Sequence, residues 1–87
     1  MAKGYRSRSR ILLDLLMALE TPCNISTLLR VGNVSHPRLK EYLGELQRSG
    51  WAAESKAASW AITDKGRAVR RELERVAGEM ADFGLAL

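Results

Sequence analysis

Two stretches decide the reading of this chain. The first is Ser35-His36-Pro37-Arg38-Leu39-Lys40-Glu41-Tyr42-Leu43-Gly44-Glu45-Leu46-Gln47-Arg48-Ser49-Gly50-Trp51. The second is Ser59-Trp60-Ala61-Ile62-Thr63-Asp64-Lys65-Gly66-Arg67. Ser35 is a residue type that caps helix N-termini, and Pro37 falls in the first turn, where a missing N–H costs nothing. Leu39, Tyr42, Leu43 and Leu46 recur at helical spacing and define an inner face, and Gly50 supplies the stop. Residues 51–54 and 58–62 read as short strands, with Ser55, Lys56 and Ala57 at the turn between them. Trp60 and Ile62 alternate with small Ser59 and Ala61, which predicts one buried face. Thr63 then caps a further helix, with Asp64 near its positive end.

Upstream, a first helix is predicted from about Ser7 to Leu19 or Glu20. Leu12, Leu15, Leu16 and Leu19 share a face, and Ile11, Leu13 and Met17 broaden it almost all round, so this helix must be enclosed by neighbours or by a second subunit. Thr21-Pro22 ends it. Asn24 caps a short second helix that carries Ile25, Leu28 and Leu29 inward, and Gly32-Asn33 closes it. Downstream, Gly66, Val69, Leu73, Val76, Met80, Phe83 and Leu87 alternate in steps of three and four, a heptad seam. Gly78 and Gly84 are expected to weaken that helix. From Leu73 onward the seam is expected to run beyond the domain body and to pair with its copy; the alternative is a helix folded back onto Leu12, Leu16 and Leu19 of its own chain.

Three helices, a short hairpin and a long last helix, in that order, predict a mainly α winged helix-turn-helix. Residues 1–6 are a basic arm, 7–66 the winged-helix domain and 67–87 a C-terminal dimerisation helix. At 87 residues there is room for one domain, whose small core favours dimerisation. The net charge of +4 lies wholly in residues 1–50, where eight basic residues face four acidic ones. Residues 51–87 balance six against six. An anionic partner is therefore expected on the first half. A single cysteine, Cys23, excludes an internal disulfide and suits an intracellular setting. The apolar run 11–19 is too short to span a membrane and is broken by Asp14, and no signal-peptide pattern is visible.

These pieces also carry a family resemblance. The opening Arg8-Ser9-Arg10-Ile11-Leu12, the Leu39-Lys40-Glu41-Tyr42-Leu43 core, Leu46 with Gly50, and Trp60-Ala61-Ile62-Thr63-Asp64-Lys65-Gly66 stand in the family's order. The last piece fits an aromatic-x-aliphatic-Thr-x-x-Gly pattern. Over about residues 7–80 the chain resembles the small archaeal winged-helix DNA-binding proteins, including the dimeric ten-kilodalton chromatin-type proteins of crenarchaea. The resemblance implies a homodimer joined through long C-terminal helices, often as an antiparallel coiled coil. Trp51 departs from the aliphatic residue expected after the glycine, and Trp60 stands where tyrosine is commoner. The last helix is short and contains glycine, and the wing has only Lys56 near its tip.

The candidate contacts follow from the third helix. With its apolar residues inward, Pro37, Glu41, Gly44 and Arg48 face out, flanked by Arg38, Lys40 and Glu45. The N-terminal part of such a helix meets the bases in a helix-turn-helix, which singles out Ser35, His36, Arg38 and Lys40, with Arg48 further along. Gly44 would admit the duplex closely. The plainer reading is a solvated face with Arg38–Glu41 and Glu45–Arg48 pairs, and the central Glu41 favours it. Ser26, Thr27 and Arg30 of the second helix and Lys56 of the wing are candidate backbone contacts. In the arm, Lys3, Arg6, Arg8 and Arg10 read as phosphate ligands without acidic neighbours, beside Tyr5.

Trp51, Trp60, Tyr42 and Phe83 could stack bases of a single strand, although a small domain needs them for its core. His36 is the only histidine, no Cys/His set has metal spacing, and no glycine-rich phosphate loop is present. The expectation is a non-enzymatic, cofactor-free binder of double-stranded DNA, cytoplasmic and nucleoid-associated, with no membrane partner. It would be a homodimer through Leu73, Val76, Met80, Phe83 and Leu87. A transcriptional regulator is the first reading, with an architectural coat protein and a winged-helix protein–protein module as alternatives.

Overall fold

A computed structural model describes residues 6–87. Lys3 and Tyr5 of the arm lie outside the described residues. The order is α1 (Arg8–Ala18), α2 (Ile25–Gly32), α3 (His36–Arg48), β1 (Ala52–Glu54), β2 (Trp60–Ile62) and α4 (Asp64–Asp82). Each helix begins at the cap its sequence signals. Ser7, Asn24, Ser35 and Thr63 accept hydrogen bonds through their side-chain oxygens from the backbone N–H groups of Arg10, Thr27, Arg38 and Gly66. These bonds satisfy donors that no helical carbonyl reaches.

The end of α3 sets the position of everything after it. Gly50 takes φ +78°, the Gly50 N–H donates to the Gln47 carbonyl (3.0 Å) and the Trp51 N–H to the Leu46 carbonyl (2.8 Å). That pair of bonds is a Schellman closure. Trp51 is thereby used by the helix end, so β1 starts only at Ala52. The hairpin is antiparallel, with Ala52 opposite Ile62, Ala53 opposite Ala61 and Glu54 opposite Trp60. Ala58, expected in the second strand, instead has φ +57° and belongs to the turn, where its N–H donates to the Ser55 carbonyl at 3.1 Å.

The outer edge of β2 is also covered, which the sequence did not announce. Cys23 and Trp60 exchange backbone hydrogen bonds of 2.9 and 2.7 Å, and the Ile62 N–H donates to the Leu19 carbonyl at 2.9 Å. The α1–α2 connection thus pairs with the hairpin and fixes it beside the helices. Beneath it, Ile11, Leu15, Leu16, Leu19, Leu28, Leu39, Tyr42, Leu43, Leu46, Trp60 and Ile62 form one buried cluster.

The last helix corrects one expectation. Rather than projecting beyond the body, α4 lies along α1, with Val69 and Leu73 packed on the core and Val76 and Met80 half-buried. Helices α2 and α4 both pack on α1 and cover most of its apolar surround, but Met17, expected to be enclosed with it, is exposed. Glu20, just past α1, reaches Arg67 (3.0 Å) and Arg70 (2.7 Å) of α4. The Arg70 Nε contact is an ion pair without hydrogen-bond alignment. Gly84 is a stop rather than a weak point inside the helix. At φ +74° it lets the Leu85 N–H reach the Met80 carbonyl (2.9 Å), and the chain turns so that the Ser7 hydroxyl donates to the Leu87 carbonyl at 2.7 Å. No described helix is long and apolar enough to cross a membrane.

Candidate nucleic-acid interface

Helix α3 buries Leu39, Tyr42, Leu43 and Leu46 and leaves Pro37, Arg38, Lys40, Glu41, Gln47 and Arg48 exposed. Its two flanks differ in chemistry. Toward the hairpin, His36, Lys40 and Gln47 border a groove of about 410 Å³ whose other walls include Ile25, Leu43, Gly44, Glu54 and Trp60. The Trp60 indole N–H is itself buried without a partner among the described residues.

Toward α1, the flank is organised around Tyr42. The Arg38 Nη2 donates to the Tyr42 hydroxyl at 2.8 Å, and its guanidinium carbon stands 5.6 Å from the ring centroid. The Arg8 guanidinium carbon stands 5.3 Å from the same centroid, and Arg8 also pairs with Glu45. A guanidinium near an aromatic face gains from the ring quadrupole and keeps its donors free at the edge.

This arrangement corrects the reading of the arm. Arg6, Arg8 and Arg10 do have acidic neighbours: Arg6 and Arg10 both reach Asp14, and Arg8 reaches Glu45. The Arg10–Asp14 contact of 3.2 Å is the i,i+4 pair of one helix face and was legible in the spacing. Arg6 also donates to the carbonyls of Val31 and Gly32, which places its charge at the negative end of α2. The pairs weighed within α3 are likewise absent among the described residues. Glu45 is taken by Arg8 rather than Arg48, and Arg38 by Tyr42 rather than Glu41. Arg48 instead folds back over Gly44, where an added Cβ would lie 3.2 Å from its Nη1.

Among the described residues, Arg30, Arg38, Lys40, Arg48 and Lys56 have no carboxylate partner. All five are exposed. His36 and Ser35 lie at the start of α3, and Ser35 spends its hydroxyl on the cap. Ser26 is exposed and Thr27 half-buried in the first turn of α2. Lys56 stands at the hairpin tip. Of the proposed dimer residues, Leu73 faces the chain's own core, and the Leu87 carbonyl accepts from Ser7 at the α1 cap. Val76 and Met80 are half-covered and Phe83 is 82% exposed. No three His, Cys, Asp or Glu side chains gather as metal ligands among the described residues.

Residues 5–81 match the winged helix-turn-helix family. The chain belongs to that family. In its terms, α2 and α3 are the helix-turn-helix pair, the β1–β2 hairpin is the wing, and α3 stands in the recognition position. Among solved structures, the crystal structure of Sso10a-2, a DNA-binding protein from Sulfolobus solfataricus, is similar at a TM-score of 0.78. That similarity covers 90% of this chain and 85% of that one at 21% identity. At that identity the likeness is one of fold. No curated protein matches the sequence. The winged-helix frame shows what sequence reasoning missed at this surface. Tyr42 was weighed for the core and for base stacking but not as a partner of Arg38, and no local spacing joins Arg8 to Glu45 across 37 residues.

Proposed function

We propose that this winged helix-turn-helix protein binds duplex DNA, laying α3 in the major groove as part of a homodimer, and acts as a transcriptional regulator. The observation that carries this reading is the division of α3. Four apolar residues anchor it in the core, while Arg38, Lys40 and Arg48 project from it with no carboxylate partner among the described residues. A helix about 10–12 Å across fits a major groove about 12 Å wide. Both flanks then face phosphate walls. In this reading Lys56 on the wing and Ser26 and Thr27 on α2 contact the backbone, and His36 and Lys40 meet base edges. The DNA-binding description of Sso10a-2, which shares the fold, supports the same reading.

Regulation is favoured over a sequence-blind coat by the mixed signs on the α3 surface. Exposed Glu41 opposes phosphates, yet a carboxylate can accept from a cytosine amino group. The homodimer is supported by apolar surface left at the end of α4, where Phe83 is 82% and Leu85 58% exposed. A DNA partner makes the nucleoid its place of action, and no catalytic step is assigned to it. The test is fluorescence anisotropy on a labelled duplex across a salt series. The logarithm of the affinity should fall linearly with log salt, because each phosphate neutralised releases counterions. Lys40→Ala should weaken binding and flatten that dependence. Affinity that ignores both salt and Lys40→Ala overturns the reading.

A further inference from the structure

We infer that Arg8, Arg38 and Tyr42 form one site for a DNA phosphate, in which Tyr42 is a positioning residue and Glu45 occupies Arg8 until the phosphate arrives. This inference rests on the DNA-binding reading and goes further, by naming a contact that bridges α1 and α3.

Three observations converge. The first is that two guanidiniums from different helices lie 5.3 and 5.6 Å from the centroid of one ring. One tyrosine holds both, Arg8 at its ring and Arg38 at its hydroxyl, and Glu45 pairs with Arg8 alone. The second is the hydroxyl of Tyr42. The tyrosine is only 2% exposed, so its ring is fixed by the core, and its oxygen accepts from Arg38 at 2.8 Å. A long side chain that would otherwise sample many rotamers is aimed by a buried anchor, and the entropy of ordering it is lost on folding rather than on binding. The third is the weakness of the Arg8–Glu45 pair. The Arg8 side chain is 58% and the Glu45 side chain 35% exposed. An ion pair that open to water contributes little to stability and yields readily to a stronger anion. A phosphate offers planar guanidinium groups a bidentate acceptor.

The site lies on the flank of α3 away from the wing. Arg38 occupies the third position of that helix, and Arg8 opens α1. In the free protein Glu45 therefore acts as an internal stand-in for phosphate. On binding, Arg8 exchanges one anion for another, while Arg38 meets the duplex already aimed.

The experiment is a salt-dependent binding series on one duplex with the full chain and five variants: Tyr42→Phe, Arg38→Ala, Arg8→Ala, Glu45→Gln and the double variant Tyr42→Phe/Arg38→Ala. Thermal melts of each variant establish that it is folded. Arg38→Ala and Arg8→Ala should each lower affinity and flatten the log–log salt slope by part of the roughly 0.9 that the one shared phosphate contact carries. Tyr42→Phe keeps every charge, so it should lower affinity about three- to tenfold with the slope unchanged. In the Arg38→Ala background, Tyr42→Phe should have no further effect, because its role passes through Arg38. A merely structural tyrosine would give the same loss in both backgrounds. Glu45→Gln should tighten binding with the slope nearly unchanged, since Arg8 makes the same phosphate contact without first leaving a competitor. If the unmodified protein fails to bind duplex DNA, the functional reading falls and this site with it. If it binds, and Tyr42→Phe and Glu45→Gln leave affinity unchanged, the site alone is overturned.

Discussion

At Gly66 the first turn of α4 rests directly on the carbonyl of Trp51: a Cβ built on Gly66 would overlap that oxygen. The same node ties two helix ends together. The Thr63 hydroxyl donates to the Gly50 carbonyl (2.6 Å) and accepts from the Gly66 N–H (3.0 Å), and the Thr63 N–H donates to Trp51 (3.0 Å). The Thr-x-x-Gly spacing is therefore one device, in which threonine hooks the end of α3 and glycine makes room for the contact. Gly66→Ala is expected to destabilise by about 2–3 kcal/mol, since a backbone obstacle cannot rotate away. Gly78→Ala, in the same helix with nothing within 4 Å of the added carbon, should stabilise by about 1 kcal/mol. Urea denaturation of both variants checks the pair, and equal effects would refute the contact.

Much of this frame was legible because it depends on local chemistry. Caps at Ser7, Asn24, Ser35 and Thr63 act within four residues, and the inner face of α3 is a matter of helical period. What was illegible depends on which surfaces meet. The seam of α4 identifies an apolar stripe but not whose apolar surface covers it. The structure lays Val69 and Leu73 on the chain's own core and leaves Phe83 outside. The Cys23–Trp60 bridge is too short to show a strand pattern. At the candidate site, Lys40 and Arg48 were readable as outward charges. The burden carried by the Tyr42 hydroxyl was not, because an apolar period treats tyrosine as one more core residue.

Ala58 holds φ +57° at the wing turn, a conformation that costs a residue with a Cβ. Ala58→Gly should relieve that cost and, after the added freedom of the unfolded chain, raise stability by about 0.5–1 kcal/mol. A melting temperature unchanged or lowered by this substitution would remove the strain argument.

Glu20 links stability to pH. The Arg67 hydrogen bond holds its carboxyl below the ordinary carboxylate range. Burial opposes that lowering, and the charges of Arg70 and Arg67 add to it. The folded chain thus binds this proton less readily than the unfolded chain does, so stability rises with pH through the carboxylate window. Its contribution is complete above the ordinary carboxylate value and disappears as pH falls through the depressed one. Glu20→Gln should therefore melt below the parent chain at neutral pH and converge with it in acid. A gap that persists in acid would mean that the side chain acts by packing rather than charge.

Selectivity separates a regulator from a coat. If Lys40 reads a guanine edge, Lys40→Ala should cost about 1–3 kcal/mol at one base position and relax preference there. If it touches only phosphate, all sequences should weaken alike. Binding selection on randomised duplexes, with the parent chain and Lys40→Ala in parallel, decides between them. A flat preference for the parent would retire the regulatory reading.

The dimer is best tested where the monomer does not need the residue. Leu73 packs on the core, so a charge there would damage the fold before it reported on assembly. Phe83 closes α4 with 82% of its surface in solvent, and Leu85 follows at 58%. Their exposure costs the isolated chain apolar surface that a second copy would cover, and a two-fold axis would set both end patches together. Phe83→Glu with Leu85→Glu should leave the melting temperature of the monomer fold intact while halving the mass seen by light scattering. DNA affinity should fall as well, because a dimer presents two α3 helices to one duplex and gains from the second contact. A monomeric mass for the unmodified chain at tens of micromolar would overturn the dimer and leave each α3 to bind alone.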